Sequence, residues 1–168
     1  MEIRELGSAD ALAYWKLRLQ GLEHDPLAFG KAPEEFRAIS IQELEKRLRD
    51  MPSRSFFVGA FEGGELIGIA TFMCDIHAKN RHKGHIYGVY VAPTHRGKRI
   101  GHELIAKILE RAKKDRVLEQ IVLAVATSQK PAIRLYRSLG FQEYGTEPRA
   151  LKNGDQYVDE LLMMLRLK

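Results

Sequence analysis

The sequence has very little cysteine and no long apolar run. Its single cysteine, Cys74, excludes an intramolecular disulfide and cannot by itself build a structural zinc site, so the fold depends on packing and suits a reducing compartment. No segment approaches the roughly 20 apolar residues that a membrane span needs. Residues 1–5 lack the basic and then apolar pattern of a signal peptide. We therefore expect a cytoplasmic protein with no membrane partner.

Low-complexity segments are also absent, and the composition is that of a folded chain. The 168 residues are 45% hydrophobic and 29% charged, with 14 glycines and 6 prolines. This balance excludes a chain that is mainly disordered or fibrous. The length is sufficient for one domain with a sizeable core and too short for two. We expect a single domain over residues 1–168.

Positive charge exceeds negative charge and is gathered in two clusters. The chain has 27 Lys and Arg against 22 Asp and Glu, a net charge of +5, which favours an anionic partner. The clusters are residues 77–83 and residues 95–99. The first is most simply a solvated connection between strands, with a contact to an acidic substrate or to phosphates as the alternative. Because no aromatic residues interleave with the basic ones, we expect no nucleic-acid partner.

Apolar periodicity and turn residues predict an α/β domain in the order β-α-α-β-β-β-α-β-α-β-β. The predicted strands are 3–6, 56–61, 66–74, 85–91, 120–126, 141–144 and 156–167. The predicted helices begin at Ser8 or Asp10, at 41, at 98 and at 130, and the apolar face of the first carries Leu12, Trp15, Leu19 and Leu22.

Several local features accompany these elements. Ser40 and Glu43 form a capping box before the second helix, and Gly140 caps the last one. Two i,i+4 pairs, Glu103 with Lys107 and Glu110 with Lys114, line the outside of helix 98–114. The apolar run 120–126 is expected to be covered on both faces. It follows the central strand 85–91 through a parallel crossover, and a ligand is expected where the chain leaves that central strand.

The segment after the central strand has the features of a phosphate cradle. A strand, a proline-terminated turn, the sequence Arg-Gly-Lys-Arg-Ile-Gly and an amphipathic helix follow one another. Unpaired N–H groups and the dipole at a helix start favour an anion. Gly97 and Gly101 let the backbone approach a phosphate, and Arg96, Lys98 and Arg99 add charge. A solvated basic turn is the alternative. A P-loop is excluded, because Gly97-Lys98 is not followed by Ser or Thr.

Residues 89–101, together with residues 132–141, resemble the GNAT superfamily of N-acetyltransferases. Tyr136 lies 35 positions after Gly101, as the two motifs of that family require. The element order also resembles its fold, a mixed sheet of about seven strands flanked by helices, in which the central strand splays from the next one. The resemblance implies acetyl-CoA as cosubstrate and direct transfer to a primary amine, either a small amine or a protein amino group. A non-catalytic sensor that binds an acyl-CoA is the alternative, and a homodimer would match family habit.

The resemblance also implies roles for individual residues. Val89 and Val91 would offer main-chain groups to the pantetheine arm, and an N–H near Val89 or Tyr90 would hold the oxyanion. Tyr136 would stand at the thioester sulfur and protonate the leaving thiolate. The implied cofactor-binding residues are Val89, Tyr90, Val91, Arg96, Gly97, Lys98, Arg99, Ile100, Gly101, His102 and Gln129.

Two of these positions depart from the family pattern. Arg99 stands where a glycine is usual, and Gln129 replaces a frequent asparagine. Both keep the donor groups that the site needs. The general base stays open among His85, Glu34, Glu35 and Asp75. The six histidines show no metal-ligand spacing, so no metal is expected, and Cys74 is interpreted as a small core residue rather than an acyl carrier.

Overall fold

A computed structural model describes residues 1–168, and all its strands belong to one seven-stranded sheet. The strands are β1 (Glu2–Glu5), β2 (Phe56–Glu62), β3 (Glu65–Cys74), β4 (Lys83–Val91), β5 (Gln120–Ala126), β6 (Gln142–Asn153) and β7 (Gln156–Arg166). Their order across the sheet is β1-β2-β3-β4-β5-β7-β6. Only β4 and β5 pair in parallel, which is the predicted crossover. The predicted α/β fold class is confirmed.

The helices cover both faces of this sheet. They are α1 (Ala11–His24), α2 (Pro33–Arg37), α3 (Ile41–Arg49), α4 (Ile100–Lys114) and α5 (Lys130–Ser138). Buried residues of the first three helices form one apolar core with Tyr90, and those of α4 and α5 form a second core with Ile86. The sheet therefore separates an α1 face from an α4 face. No helix is long and apolar enough to cross a bilayer.

The predicted apolar face of helix α1 is confirmed only in part. Leu22 is fully buried and Trp15 and Leu19 pack against the core, but Leu12 is half exposed. Tyr14 and Leu17, outside the predicted face, are buried. The ring of Tyr14 packs edge-on against Phe57, with 5.1 Å between centroids. At Gly21 an added Cβ would lie 3.0 Å from the Tyr90 ring, so small residues on this side bring α1 close to the sheet. The close packing of Gly21 on Tyr90 thus helps to determine which face of α1 is buried. The spacing of the large apolar residues alone does not predict this contact.

The chain between α1 and α3 contains a short helix that the sequence did not predict. Five residues are too few for an apolar period, but α2 begins at Pro33, and the Ala32 N–H donates to the Glu35 carboxylate at 3.0 Å. The predicted cap of α3 is confirmed in part: the Glu43 N–H donates to Ser40 Oγ at 3.2 Å, while the Glu43 carboxylate pairs with Arg47.

Three further expectations are corrected by the tertiary structure. Strand β5 is not covered on both faces, since Leu123 is buried but Ala124 is exposed. Strand β6 runs to Asn153 rather than ending at 144; it is an exposed edge strand, so burial imposes no alternating pattern on it. Lys107 pairs with Glu110 at 3.4 Å instead of Glu103, although the predicted pair of Glu110 with Lys114 forms at 2.8 Å.

Candidate active site

The parallel pair β4 and β5 opens after three residue pairs, the last of which joins His85 to Val122. Beyond this point the two strands diverge, and a cavity of about 790 Å³ occupies the gap. Arg18 and Phe29 line it from the α1 face, and Leu135 and Tyr136 line it from the α4 face. The cavity therefore passes through the sheet. It lies where the sequence analysis predicts a ligand site, at the end of the central strand.

A β-bulge sets the path of β4 beside this gap. Thr71 of β3 pairs with Tyr87, and Ile69 pairs with Tyr90. Between these two pairs, the single β3 residue at position 70 lies opposite two residues of β4, Gly88 and the residue after it. Gly88 has a φ of +60°, which glycine adopts at little cost. The bulge changes which residues of β4 face each core: Ile86 contributes to the α4 core before it, and Tyr90 to the α1 core after it.

The hydrogen-bond pattern after the bulge determines which main-chain groups face the gap. The Ala92 N–H donates to the Ile67 carbonyl of β3 at 2.9 Å. Because successive residues of a strand direct these groups to opposite sides, Tyr90 also faces β3, while Val89 and Val91 face the gap. The Val91 carbonyl accepts from Arg96 Nε at 3.1 Å. The hydrogen-bond pattern between β3 and β4 thus favours Val89 over Tyr90 as the main-chain donor that faces the cavity.

The turn between β4 and α4 presents a row of unused donors. The N–H groups of residues 97–102 donate to no backbone or side-chain acceptor, whereas the Glu103 N–H already bonds to the Arg99 carbonyl. Gly97 at φ +81° and Arg99 at φ +62° curve the chain through the left-handed region. Such turns produce concave sets of N–H groups, and the α4 dipole adds positive potential there. This is the geometry of an anion site.

The basic side chains of this turn contribute less than the sequence predicted. Arg96 bonds to Asp25 at 2.6 Å, and Lys98 lies 3.8 Å from Glu62 and does not line the cavity. Arg99 lines the cavity and has no ion pair. Only one of the three predicted cations is therefore free to meet an anion, and the main chain supplies most of the donors.

The two glycines of the predicted cradle have different roles. At Gly97 an added Cβ would meet nothing within 4 Å, so glycine is needed there for its φ. At Gly101 an added Cβ would lie 3.1 Å from Leu135 Cδ2. Gly101 therefore allows α4 to pack closely on α5, and a larger residue there would crowd this helix contact rather than a phosphate.

Tyr136 lies on α5 and is buried at the cavity wall. Its ring meets Phe141 edge-on at 5.9 Å, and its phenol makes no hydrogen bond within the chain. Burial raises the pKa of Tyr136 well above its ordinary value of 10.0, so the phenol stays protonated. The C-terminal end of α5 is fixed by Gly140 at φ +90° and by the Phe141 N–H, which donates to the Tyr136 carbonyl at 3.1 Å, confirming the predicted cap.

The structure brings most of the predicted site residues together. Of the residues named from the sequence as cofactor-binding or catalytic, all except Lys98 line the one cavity. That set is Val89, Tyr90, Val91, Arg96, Gly97, Arg99, Ile100, Gly101, His102, Gln129 and Tyr136. Ile100 is buried and contributes apolar surface, and Gln129 stands at the first turn of α5.

The candidate bases lie elsewhere. His85 pairs with Asp75 at 3.1 Å, and neither they nor Glu34 and Glu35 line the cavity. Glu160 of β7 does line it. Burial, and then the neighbouring carboxylate of Glu147, raises the pKa of Glu160 above its ordinary 4.5. No local pattern in the sequence predicts a role for Glu160, because only the pairing of β7 with the end of β5 brings it to the cavity.

Two other sequence candidates lie outside the cavity. Cys74 is buried, its thiol donates to the Arg54 carbonyl at 3.2 Å, and burial raises its pKa, which disfavours the thiolate. No residue of the basic cluster 77–83 lines the cavity. The described side chains include no group of three or more His, Cys, Asp or Glu that could hold a metal ion.

Comparison with known proteins assigns the chain to one family. The model of the acetyltransferase (GNAT) family matches residues 20–141. The chain belongs to this family of acetyltransferases. The predicted resemblance is thereby confirmed.

Individual relatives show how far the likeness extends. An L-methionine sulfoximine/L-methionine sulfone acetyltransferase of Pseudomonas aeruginosa is 30% identical over 111 residues, which are 66% of this chain and 63% of that protein. An acetyltransferase of the GNAT family from Streptococcus pneumoniae has the same fold, with a TM-score of 0.87 and 23% identity over 99% of both chains. A phosphinothricin acetyltransferase from Sinorhizobium meliloti, solved in complex with AcCoA, has a TM-score of 0.84 and 20% identity over 98% of this chain and 87% of its own.

Proposed function

We propose that this protein transfers an acetyl group from acetyl-CoA to a primary amine by direct attack. The observation that carries the proposal is the cavity through the sheet, which joins a row of unused N–H donors on one side to a carboxylate, Glu160, in its wall. Family membership and the relative solved with AcCoA support the cosubstrate. Residues 1–168 would act as one acetyltransferase domain.

The N–H groups of residues 97–102 fit the pyrophosphate of acetyl-CoA, because they are donors without acceptors at the start of a helix. Arg99, the basic residue of this turn that lines the cavity without an ion pair, would add positive charge. The main-chain groups of Val89 and Val91 would pair with the pantetheine arm, which takes the place that β5 leaves empty beside β4.

The chemistry requires a neutral amine, a held oxyanion and a stabilised leaving thiolate. Glu160 would accept a proton from the substrate ammonium, directly or through water, and its raised pKa suits it to that task. The amine nitrogen then forms a bond to the thioester carbon, and the Val89 N–H would bond to the oxygen that becomes negative. When the carbon–sulfur bond breaks, the electron pair leaves with sulfur, and the proton shed by nitrogen finally neutralises the thiolate.

The raised pKa of Tyr136 refines its proposed part. A thiol has a pKa of about 8.5, so complete proton transfer from a phenol whose pKa exceeds 10 is unfavourable. We therefore propose that the Tyr136 phenol donates a hydrogen bond to the leaving sulfur as negative charge develops there. This role needs a protonated phenol that faces the cavity, which the position on α5 provides.

The test is a free-thiol release assay with acetyl-CoA and a panel of primary amines, followed by mass spectrometry of the product. We expect thiol release that depends on an amine and a product heavier by one acetyl group. Binding of acetyl-CoA with no thiol release for any amine would favour the sensor function instead. The cytoplasmic location and the homodimer stay predictions.

A further inference from the structure

Arg18 of α1 is a charged side chain that lines the cavity without a partner. It forms no ion pair and no hydrogen bond, and its Nη1 atom is inaccessible to solvent. Arginine is rarely buried unless it is paired, because unmet N–H donors lose their bonds to water. Burial lowers the pKa of Arg18 below its ordinary value, because the charged form loses contact with water. The unpaired donors of Arg18 are therefore suited to an anionic group bound in the cavity.

Packing fixes the guanidinium at the point where the sheet opens. A Cβ added at Gly88, the bulge residue, would lie 3.4 Å from Arg18 Cζ and Nη1. On the other side, Arg18 Cζ lies 4.4 Å from the centroid of the Phe29 ring. This stacking covers a face of the guanidinium and leaves N–H groups at its edge for a ligand. The hydroxyl of Tyr90, which belongs to the same core as α1, is also buried without a partner.

The surroundings favour a small occupant. The segment that joins α1 to α2 reaches across to β6, since a Cβ at Gly30 would lie 3.7 Å from Leu151 Cδ2. Both Gly30 and Leu151 line the cavity, so these two segments narrow one side of it. A free amino acid needs less room beside them than a polypeptide segment would.

We propose that Arg18 binds the carboxylate of the acceptor, and that the acceptor is a free amino acid. The guanidinium fork matches a carboxylate in two parallel hydrogen bonds, which would satisfy the unpaired donors of Arg18. Glu160, on the wall of the same cavity, would meet the ammonium group. This inference rests on the proposed N-acetyltransferase activity. It adds that Arg18 selects the acceptor by binding its carboxylate.

The experiment compares the common L-amino acids with their amides, which keep the amine and side chain but lack the negative charge. Each pair is titrated calorimetrically into the protein saturated with CoA, and thiol release from acetyl-CoA is measured in parallel. The variants are Arg18→Gln and Arg18→Lys, with Lys16→Gln as control, because Lys16 is an exposed cation on the same helix. Circular dichroism melting shows whether each variant folds.

We expect the unmodified protein to bind at least one acid about tenfold to a hundredfold more tightly than its amide. Arg18→Gln should abolish that preference and leave the affinity for acetyl-CoA unchanged, Arg18→Lys should keep part of it, and Lys16→Gln all of it. If Arg18→Gln does not fold, reduced preference in a folded Arg18→Lys supports the proposal.

Two results would overturn this role for Arg18. One is equal binding of acids and amides across the whole set, and the other is a preference that survives in every folded Arg18 variant. Failure of the proposed function would look different. In that case acid binding would still depend on Arg18, but no thiol would be released from acetyl-CoA.

Discussion

At the scale of single residues, the site depends on groups whose bonding is left incomplete. The phenol of Tyr136, the guanidinium of Arg18 and the carboxylate of Glu160 all line the cavity, and burial disfavours the charged form of each. Arg99 departs from the glycine of the family pattern yet keeps a left-handed φ of +62°, which costs an L-residue about 1–2 kcal/mol. Such costs are typical of functional positions, because a ligand can compensate them.

Replacing Tyr136 with Phe removes the proposed donor to sulfur and keeps the ring that packs on Phe141. We expect kcat to fall about tenfold to a hundredfold, since a hydrogen bond to a charged group is lost in the transition state only. The Kd for acetyl-CoA, measured by calorimetry, should stay within about twofold. Tyr144→Phe, at an exposed tyrosine of β6, is the control. An unchanged kcat in the Tyr136 variant would reduce this residue to a packing role.

Replacing Glu160 with Gln tests a base whose pKa is raised by burial. The folded state disfavours the ionised carboxylate of Glu160. Ionisation therefore lowers the free energy of unfolding, with no effect below the ordinary pKa of the unfolded chain and the full effect above the raised pKa of the folded protein. The variant should therefore melt at a higher temperature than the parent at pH 7, with the difference vanishing near pH 4. We also expect slower turnover and loss of the acidic limb of the pH profile.

Glu147 provides a matched control for this change. It lies opposite Glu160 on β6 and contributes to the raised pKa. Glu147→Gln should move the acidic limb of the pH profile to lower pH and keep turnover at high pH. An acidic limb that persists in Glu160→Gln would assign the base to another group.

At the scale of the elements, glycines at positive φ set where a strand bulges and where helices are joined to their neighbours. Gly88 makes the bulge in β4, Gly97 lies in the turn before α4, and Gly140 follows the end of α5. These three positions align β4, α4 and α5 around one gap. The geometry of the site therefore depends on the bulge and the turns at these glycines more than on the regular parts of the helices and strands.

Gly140→Ala should destabilise the protein by about 1 kcal/mol, because φ +90° is unfavourable for a residue with a Cβ. Urea unfolding measures this as a lower midpoint with an unchanged slope. Gly7→Ala is the control, since Gly7 has φ −112° and open space around it. Equal loss in both variants would show that the cap geometry is not the cause.

At the scale of the whole molecule, the sheet divides the protein into an α1 side and an α4 side that meet through the gap. We propose that acetyl-CoA enters on the α4 side and the acceptor on the α1 side. Direct transfer then needs no acyl-enzyme. Cys74 lies outside the gap, with a thiol whose pKa is raised by burial.

Cys74→Ala should keep kcat within about twofold of the parent, because this thiol takes no part in the proposed transfer. Mass spectrometry after incubation with acetyl-CoA alone should find no acetylated protein. An acetyl group on Cys74, together with loss of turnover in the variant, would contradict direct transfer.

Local sequence patterns predicted the strands, the parallel crossover and the α4 turn, because each depends on periodicity and turn residues within a few positions. These patterns did not predict features that depend on contacts between segments far apart in the sequence. The side of α1 that is buried depends on Gly21 meeting Tyr90, and the position of Glu160 depends on β7 pairing with β5. Arg96 was predicted to bind phosphate, but Asp25, far away in the sequence, holds it.

In the proposed mechanism, acetyl-CoA binds in the gap between β4 and β5. The most direct test is calorimetric titration of acetyl-CoA into the parent protein, Ala124→Trp and Ala78→Trp. Ala124 is an exposed wall residue of the cavity, so Trp would fill the gap without disturbing the core, and Ala78 is exposed outside it. We predict one binding site in the parent and in Ala78→Trp and none in Ala124→Trp, with no binding of ATP. Binding that survives in a folded Ala124→Trp, or its absence from the parent, would show that acetyl-CoA does not bind in this gap.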